Sequence, residues 1–128
     1  MRADCHMHTY FSGDSEAKPE DMVLAAIDKG LEAICFTDHE DIDYFCDDIE
    51  FVFDPETYFK ELGALKEKYK EKLDIRIGVE FGLQPHLAKK AKAFTAANPY
   101  DFVIGSMHVV GGKDPYYPEF FEGISDEE

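Results

Sequence analysis

Basic side chains are scarce in this chain: 13 lysines and arginines stand against 28 aspartates and glutamates, for a formal net charge of -15. Only Arg2 and Arg76 are arginines. A nucleic acid held through its phosphates, or an anionic membrane surface, needs clustered cationic side chains, so the charge argues against both as bulk partners. Long apolar runs are missing too. No stretch approaches the roughly 18 consecutive apolar residues of a membrane span, and the N-terminus has no apolar signal-peptide core. The expected location is cytoplasmic. Cysteine is limited to Cys5, Cys35 and Cys46, an odd number without CxxC spacing, which fits reduced, mostly buried thiols.

What remains is ample for a core. The 128 residues are 45% hydrophobic and 14% aromatic, enough for one globular domain. The surplus of carboxylates reads as a solvated surface.

In chain order, a strand is predicted from about Arg2 to Thr9, followed by a loop through Gly13 and Asp14. Pro19 suits a first helical position, Met22, Val23, Ala26 and Ile27 form an apolar stripe, and Gly30 marks the end of the helix. Leu31 to Thr37 is a short apolar run of the kind buried in parallel sheets. An acidic, aromatic loop then reaches Asp54, a cap residue with Pro55 behind it, and a helix is expected to about Lys70. Ile75, Ile77 and Val79 alternate into Glu80 as a third strand. A helix over about Pro85 to Ala97 and a strand at Phe102-Val103-Ile104-Gly105 complete about four βα units. Such an order predicts an α/β fold with a parallel sheet and functional residues at the C-terminal strand ends.

Those ends carry the chemistry. His6 and His8 alternate onto one face of an extended strand, close enough to grip one cation. Phe36-Thr37-Asp38-His39, Gly78-Val79-Glu80 and Ile104-Gly105-Ser106-Met107-His108 deliver further imidazoles and a carboxylate. Imidazole nitrogen and carboxylate oxygen are ligands that zinc, manganese and iron accept, and a carboxylate can bridge two ions. The arrangement predicts His6, His8 and Glu80 around one ion, Glu80 and His108 at a second, and His39 with Asp14 at a third. Such a cluster binds phosphate and lowers the pKa of a metal-bound water, making Glu80 and His108 the expected catalytic ligands of a phosphoester hydrolase. Asp38 is expected to orient a histidine, and His86 to be a surface or capping residue.

The ordered set Asp4-Cys5-His6-Met7-His8-Thr9, Thr37-Asp38-His39, Gly78-Val79-Glu80 and Gly105-Ser106-Met107-His108 resembles the polymerase and histidinol phosphatase (PHP) superfamily. Phe11-Ser12-Gly13-Asp14-Ser15 and His108 to Tyr117 resemble its histidinol-phosphatase branch. The resemblance implies a distorted (β/α)7 barrel with two or three zinc, manganese or iron ions. It also implies hydrolysis of L-histidinol phosphate, a small phosphomonoester, to L-histidinol and phosphate in histidine biosynthesis. Carried over by position, His6 and His8 are the first metal pair, Glu80 bridges, His108 binds the second ion and His39 the third, with Asp14 a further ligand.

A complete barrel of this kind takes about 250 residues. Residues 1–128 therefore read as the N-terminal portion of a single PHP domain, without the further histidine, the Asp-x-His motif and the basic residues that the family carries later. Ser125-Asp126-Glu127-Glu128 has the pattern of a capping box, so a helix is expected to begin there. Two other readings follow: a non-catalytic metal-binding fragment closed by a second copy or another chain, and a PHP phosphoesterase acting on nucleotides or nucleic acid. The loop from Asp114 to Phe121 is expected either to wall the substrate or to pack against a further part of the domain.

Overall fold

The computed structural model describes residues 2–44, 51–123 and 125. Its strands are β1 (Ala3–Asp4), β2 (Ala33–Phe36), β3 (His39–Glu40), β4 (Asp74–Gly82) and β5 (Phe102–Ser106); its helices are α1 (Pro19–Asp28), α2 (Pro55–Tyr69) and α3 (Ala88–Ala97). Every strand pairing is parallel. Ala3 sits opposite Ala33, Ala33 opposite Asp74, His39 opposite Glu80, and Gly78 opposite Phe102. Since β2 and β3 are successive segments along the same edge of β4, the sheet runs β1, β2 with β3, β4, β5 in chain order. That is the sequential order of a barrel wall, here a partial one.

Local chemistry sets the element boundaries. Pro19 opens α1 and Gly30, with φ of 71°, ends its last turn in a conformation that disfavours a side chain. Asp54 caps α2, its Oδ2 accepting from the Thr57 amide at 2.9 Å. The helix expected from Pro85 begins as a 3-10 turn at Pro85–Leu87 and becomes α-helical at Ala88.

The first strand is shorter than its sequence suggests. Past Asp4, side chains take up the backbone groups that a ladder would use: Asp4 Oδ1 accepts from the His6 amide at 3.1 Å, and Thr37 Oγ1 from the Met7 amide at 3.2 Å. The backbone still follows β2, because the Thr37 amide donates to the Met7 carbonyl at 3.0 Å. The short β3, expected as loop, arises where Glu80 donates to the Asp38 carbonyl at 3.0 Å and the chain rejoins β4.

The core lies between this sheet and the first two helices. Val23 and Ala26 from α1, Tyr58, Leu62 and Leu65 from α2, and Ile34, Phe36, Ile75 and Ile77 from the sheet form one buried cluster. Leu62 is 0% exposed, so Leu62→Ala is expected to cost about 2–5 kcal/mol of unfolding free energy, as measured by urea denaturation. A loss under about 1 kcal/mol would contradict this packing.

Among the described residues no helix is long and apolar enough to cross a membrane. Cys46 in the acidic loop and residues 126–128 of the expected capping box lie outside the described residues.

Candidate metal centre

The sheet converges on Glu80, near the C-terminal end of β4 and 3% exposed. A carboxylate buried so deeply needs charged or hydrogen-bonding partners, and here each oxygen has its own pair. Oε2 lies 2.7 Å from His6 Nε2 and 2.9 Å from His8 Nε2. Oε1 accepts from the Ser106 hydroxyl at 2.6 Å and lies 3.1 Å from His108 Nε2. The alternation of His6 and His8 survives without a strand ladder. Met7, between them, turns into the core.

A second carboxylate joins from the loop after β1. Asp14 Oδ2 is 3.0 Å from His8 Nδ1 and 3.5 Å from His39 Nε2. His39 is placed by β3, opposite Glu80 in the register, with its amide donating to Ser12 Oγ at 2.8 Å. All six residues expected at the site thus meet: His6, His8 and Glu80 form one group, His8, Asp14 and His39 a second, and His39, Glu80 and His108 a third. Within each group the ligand atoms lie within 4.8 Å of one another.

The donor set fits a divalent cation. His6 Nε2 and His8 Nε2 stand 3.1 Å apart while both address the same carboxylate oxygen, an arrangement of nitrogen and oxygen that a metal satisfies directly. Without metal, protons take that place. The Glu80 hydrogen bond, working against burial and helped by Asp14, pushes His8 up to about 9. The Asp41 and then the Glu80 hydrogen bond push His108 up to about 10. Burial would raise Glu80, but its contacts with His108, His8, Ser106 and His6 hold the carboxyl well below the usual carboxylate range.

One assignment changes. Asp38 does not orient a histidine: its Oδ1 accepts from the Thr9 amide at 2.5 Å and the Thr9 hydroxyl at 3.0 Å, tying the β1 segment to β2. The carboxylate that faces the histidines is Asp41, whose Oδ2 lies 2.5 Å from His108 Nδ1. A signal for it was present, since His39 and Asp41 are two apart and share a face of extended chain. His86 sits apart from the cluster with Nε2 3.0 Å from Asp43 Oδ2.

A cavity of about 390 Å³ opens beside the centre. His39, Asp41 and His108 line it together with Tyr44, Tyr116 and Tyr117, and Asp14 and Asp114 join them, with no lysine or arginine among the described lining residues. Asp114, Tyr116 and Tyr117 of the 114–121 loop line this cavity. It is also open to solvent, with Tyr116 85% exposed. Arg76 is paired with Asp74 at the opposite end of β4.

Three comparisons bear on this site. The family model for the PHP domain matches residues 4–128. The histidinol-phosphatase of Lactococcus lactis is 37% identical over 115 residues, which are 90% of this chain and 42% of that protein. The crystal structure of a Lactococcus lactis histidinol phosphate phosphatase, complexed with zinc, L-histidinol and phosphate, superposes with a TM-score of 0.83 at 39% identity, covering 88% of this chain and 42% of that one. A Listeria monocytogenes structure shares the fold at 22% identity, with a TM-score of 0.77 over 85% of this chain and 46% of its own. The chain spans less than half the length of the curated relatives it matches.

Proposed function

The chain belongs to the PHP domain family, and from that premise we propose that it carries the metal-binding part of a phosphomonoesterase of the histidinol-phosphatase type. The observation that carries this reading is the division of the Glu80 carboxylate, one oxygen toward His6 and His8 and the other toward Ser106 and His108. His6, His8 and Glu80 would hold one ion, Glu80, His39 and His108 a second, and Asp14 with His8 or His39 a third, the metals being zinc, manganese or iron. Ions bound there would neutralise phosphoryl charge and activate water for attack on phosphorus.

The chain's own groups do the rest. Glu80, fixed by Ser106, keeps its negative charge inside a buried site, and the His6–His8 pair turns both Nε2 atoms inward. Beside the centre, Asp14 and Asp114 with three tyrosines make an anionic aromatic wall. That wall suits a leaving group carrying cationic nitrogen better than an anionic one. L-histidinol, the alcohol bound by the Lactococcus structure, carries an amine and an imidazole, so L-histidinol phosphate is the substrate proposed. Residues 1–128 are read as one portion of a single PHP domain, acting in the cytoplasm with Cys5 and Cys35 as free thiols.

The test is metal content by elemental analysis on protein purified without chelator, followed by phosphate release from L-histidinol phosphate and from a single-stranded oligonucleotide. Two or more zinc, manganese or iron ions per chain and a preference for the phosphomonoester are expected. Absence of metal would overturn the reading, and preference for the oligonucleotide would move the substrate to nucleic acid, against the -15 charge. A second reading is favoured by β5, where Phe102, Val103 and the following Met107 are exposed: a non-catalytic metal-binding assembly closed by a second copy or another chain. A doubled mass in solution without phosphate release would select it.

A further inference from the structure

Each histidine at the centre has two ring nitrogens, and in a buried ring the one that does not face Glu80 needs a hydrogen-bonding partner of its own. For His108 that partner is Asp41, with Oδ2 2.5 Å from Nδ1, while Nε2 lies 3.1 Å from Glu80 Oε1. For His39 the other oxygen of the same carboxylate is nearest: Asp41 Oδ1 is 3.6 Å from Nδ1, and both atoms are buried with no hydrogen-bond partner among the described residues. His39 Nε2 points the other way, 3.5 Å from Asp14 and 3.9 Å from Glu80. At 3.6 Å the two atoms lie outside the N–H···O range of about 2.7–3.2 Å, but each is the nearest complementary group for a buried, unpartnered neighbour, and a shift of about 0.5 Å would pair them.

The fold makes room for this carboxylate at one place. Asp41 follows β3, its amide donating to the Phe51 carbonyl at 2.6 Å, and lies against Gly82 at the end of β4. A Cβ on residue 82 would stand 2.5 Å from Asp41 Oδ1 and 2.7 Å from its Cγ. The glycine is therefore what leaves room for the Asp41 carboxylate beside His39 and His108.

We propose that Asp41 is a shared positioning residue, one oxygen for Nδ1 of His108 and the other for Nδ1 of His39, which turns both Nε2 atoms into the centre. A carboxylate behind a ligating histidine fixes its tautomer and its ring plane. One carboxylate behind two ties the second ion's ligands together as a unit. The inference deepens the metal-centre reading and rests on it for its metal readout, but the proton arrangement it describes can be observed without metal.

The experiment compares wild type with Asp41→Asn, which keeps the volume but leaves one acceptor oxygen in place of two. Long-range 15N–1H spectra of histidine-labelled protein report which ring nitrogen carries the proton, and zinc titration reports affinity. In zinc-loaded wild type, protonated Nδ1 is expected on both His39 and His108, and in Asp41→Asn at least one of these signals loses its protection while zinc affinity falls about 10–100-fold. Protonated Nε2 on either histidine in zinc-loaded wild type would overturn the proposal, a result that needs no variant to fold. So would unchanged signals and affinity in the variant. If wild type takes up no zinc, the metal-centre reading fails by itself; a downfield His108 Nδ1 proton that disappears in Asp41→Asn would still support the positioning role, and its absence from wild type would overturn that too.

Discussion

Replacing Glu80 is expected to empty the centre rather than weaken one ligand. One oxygen serves His6 and His8 and the other His108, so truncation removes a ligand common to two of the three groups. Zinc affinity of Glu80→Ala should fall by more than about 100-fold, above the range seen when only a supporting partner is lost. Glu80→Gln controls for the cavity, because it keeps the side-chain volume and can still accept from Ser106 while it loses the charge. His6→Ala should release metal as well, because it removes one of the three ligands of the His6–His8–Glu80 group. His86→Ala, whose partner is Asp43, should retain the full metal complement. Equilibrium dialysis with elemental analysis of the four variants measures all of this. Metal retained by both Glu80 variants would remove Glu80 from the ligand set.

The sequence announces this site unevenly, and the reasons are physical. Glu80 and the His6–His8 pair are readable because strand periodicity fixes which side chains share a face, and the face persists even where the ladder stops after Asp4. Helix ends are readable because Pro19, Gly30 and Asp54-Pro55 act through local backbone chemistry. Asp38 and Asp41 could not be ranked that way. Both neighbour His39, and which of them faces a histidine depends on the break between β2 and β3, where Asp38 is captured by Thr9, a residue 29 positions away. The two-residue β3 is likewise a product of register with β4 and has no propensity signal of its own. α3 shows the converse: its pattern predicts a helix correctly, but none of its residues is buried among those described.

Acidity should act on the metal-free and metal-loaded protein in opposite senses. His8 and His108 are raised from 6.5 to about 9 and about 10 by their carboxylate partners. A histidine raised on folding stabilises the fold fully below its unfolded value of about 6.5 and loses that contribution as pH climbs through the folded value. Glu80 and Asp41 are lowered from 4.5 and 3.8, so their contribution is present above those values and is lost as pH falls. The metal-free Tm is therefore expected to be highest between about pH 4.5 and 6.5 and to decline toward pH 10. Metal binding runs the other way, since an imidazole must give up its proton to bind through the nitrogen that holds it. Zinc affinity should rise about tenfold per pH unit for each proton displaced, from about pH 7 to 9, and the Tm gain on adding zinc should grow with it. Thermal melts with chelator and with zinc at about six pH values test both slopes. A metal-free Tm that stays level from about pH 6.5 to 9.5, with zinc affinity equally level, would mean that His8 and His108 are already neutral, and that their contacts with Glu80 and Asp41 carry no proton for a metal to replace.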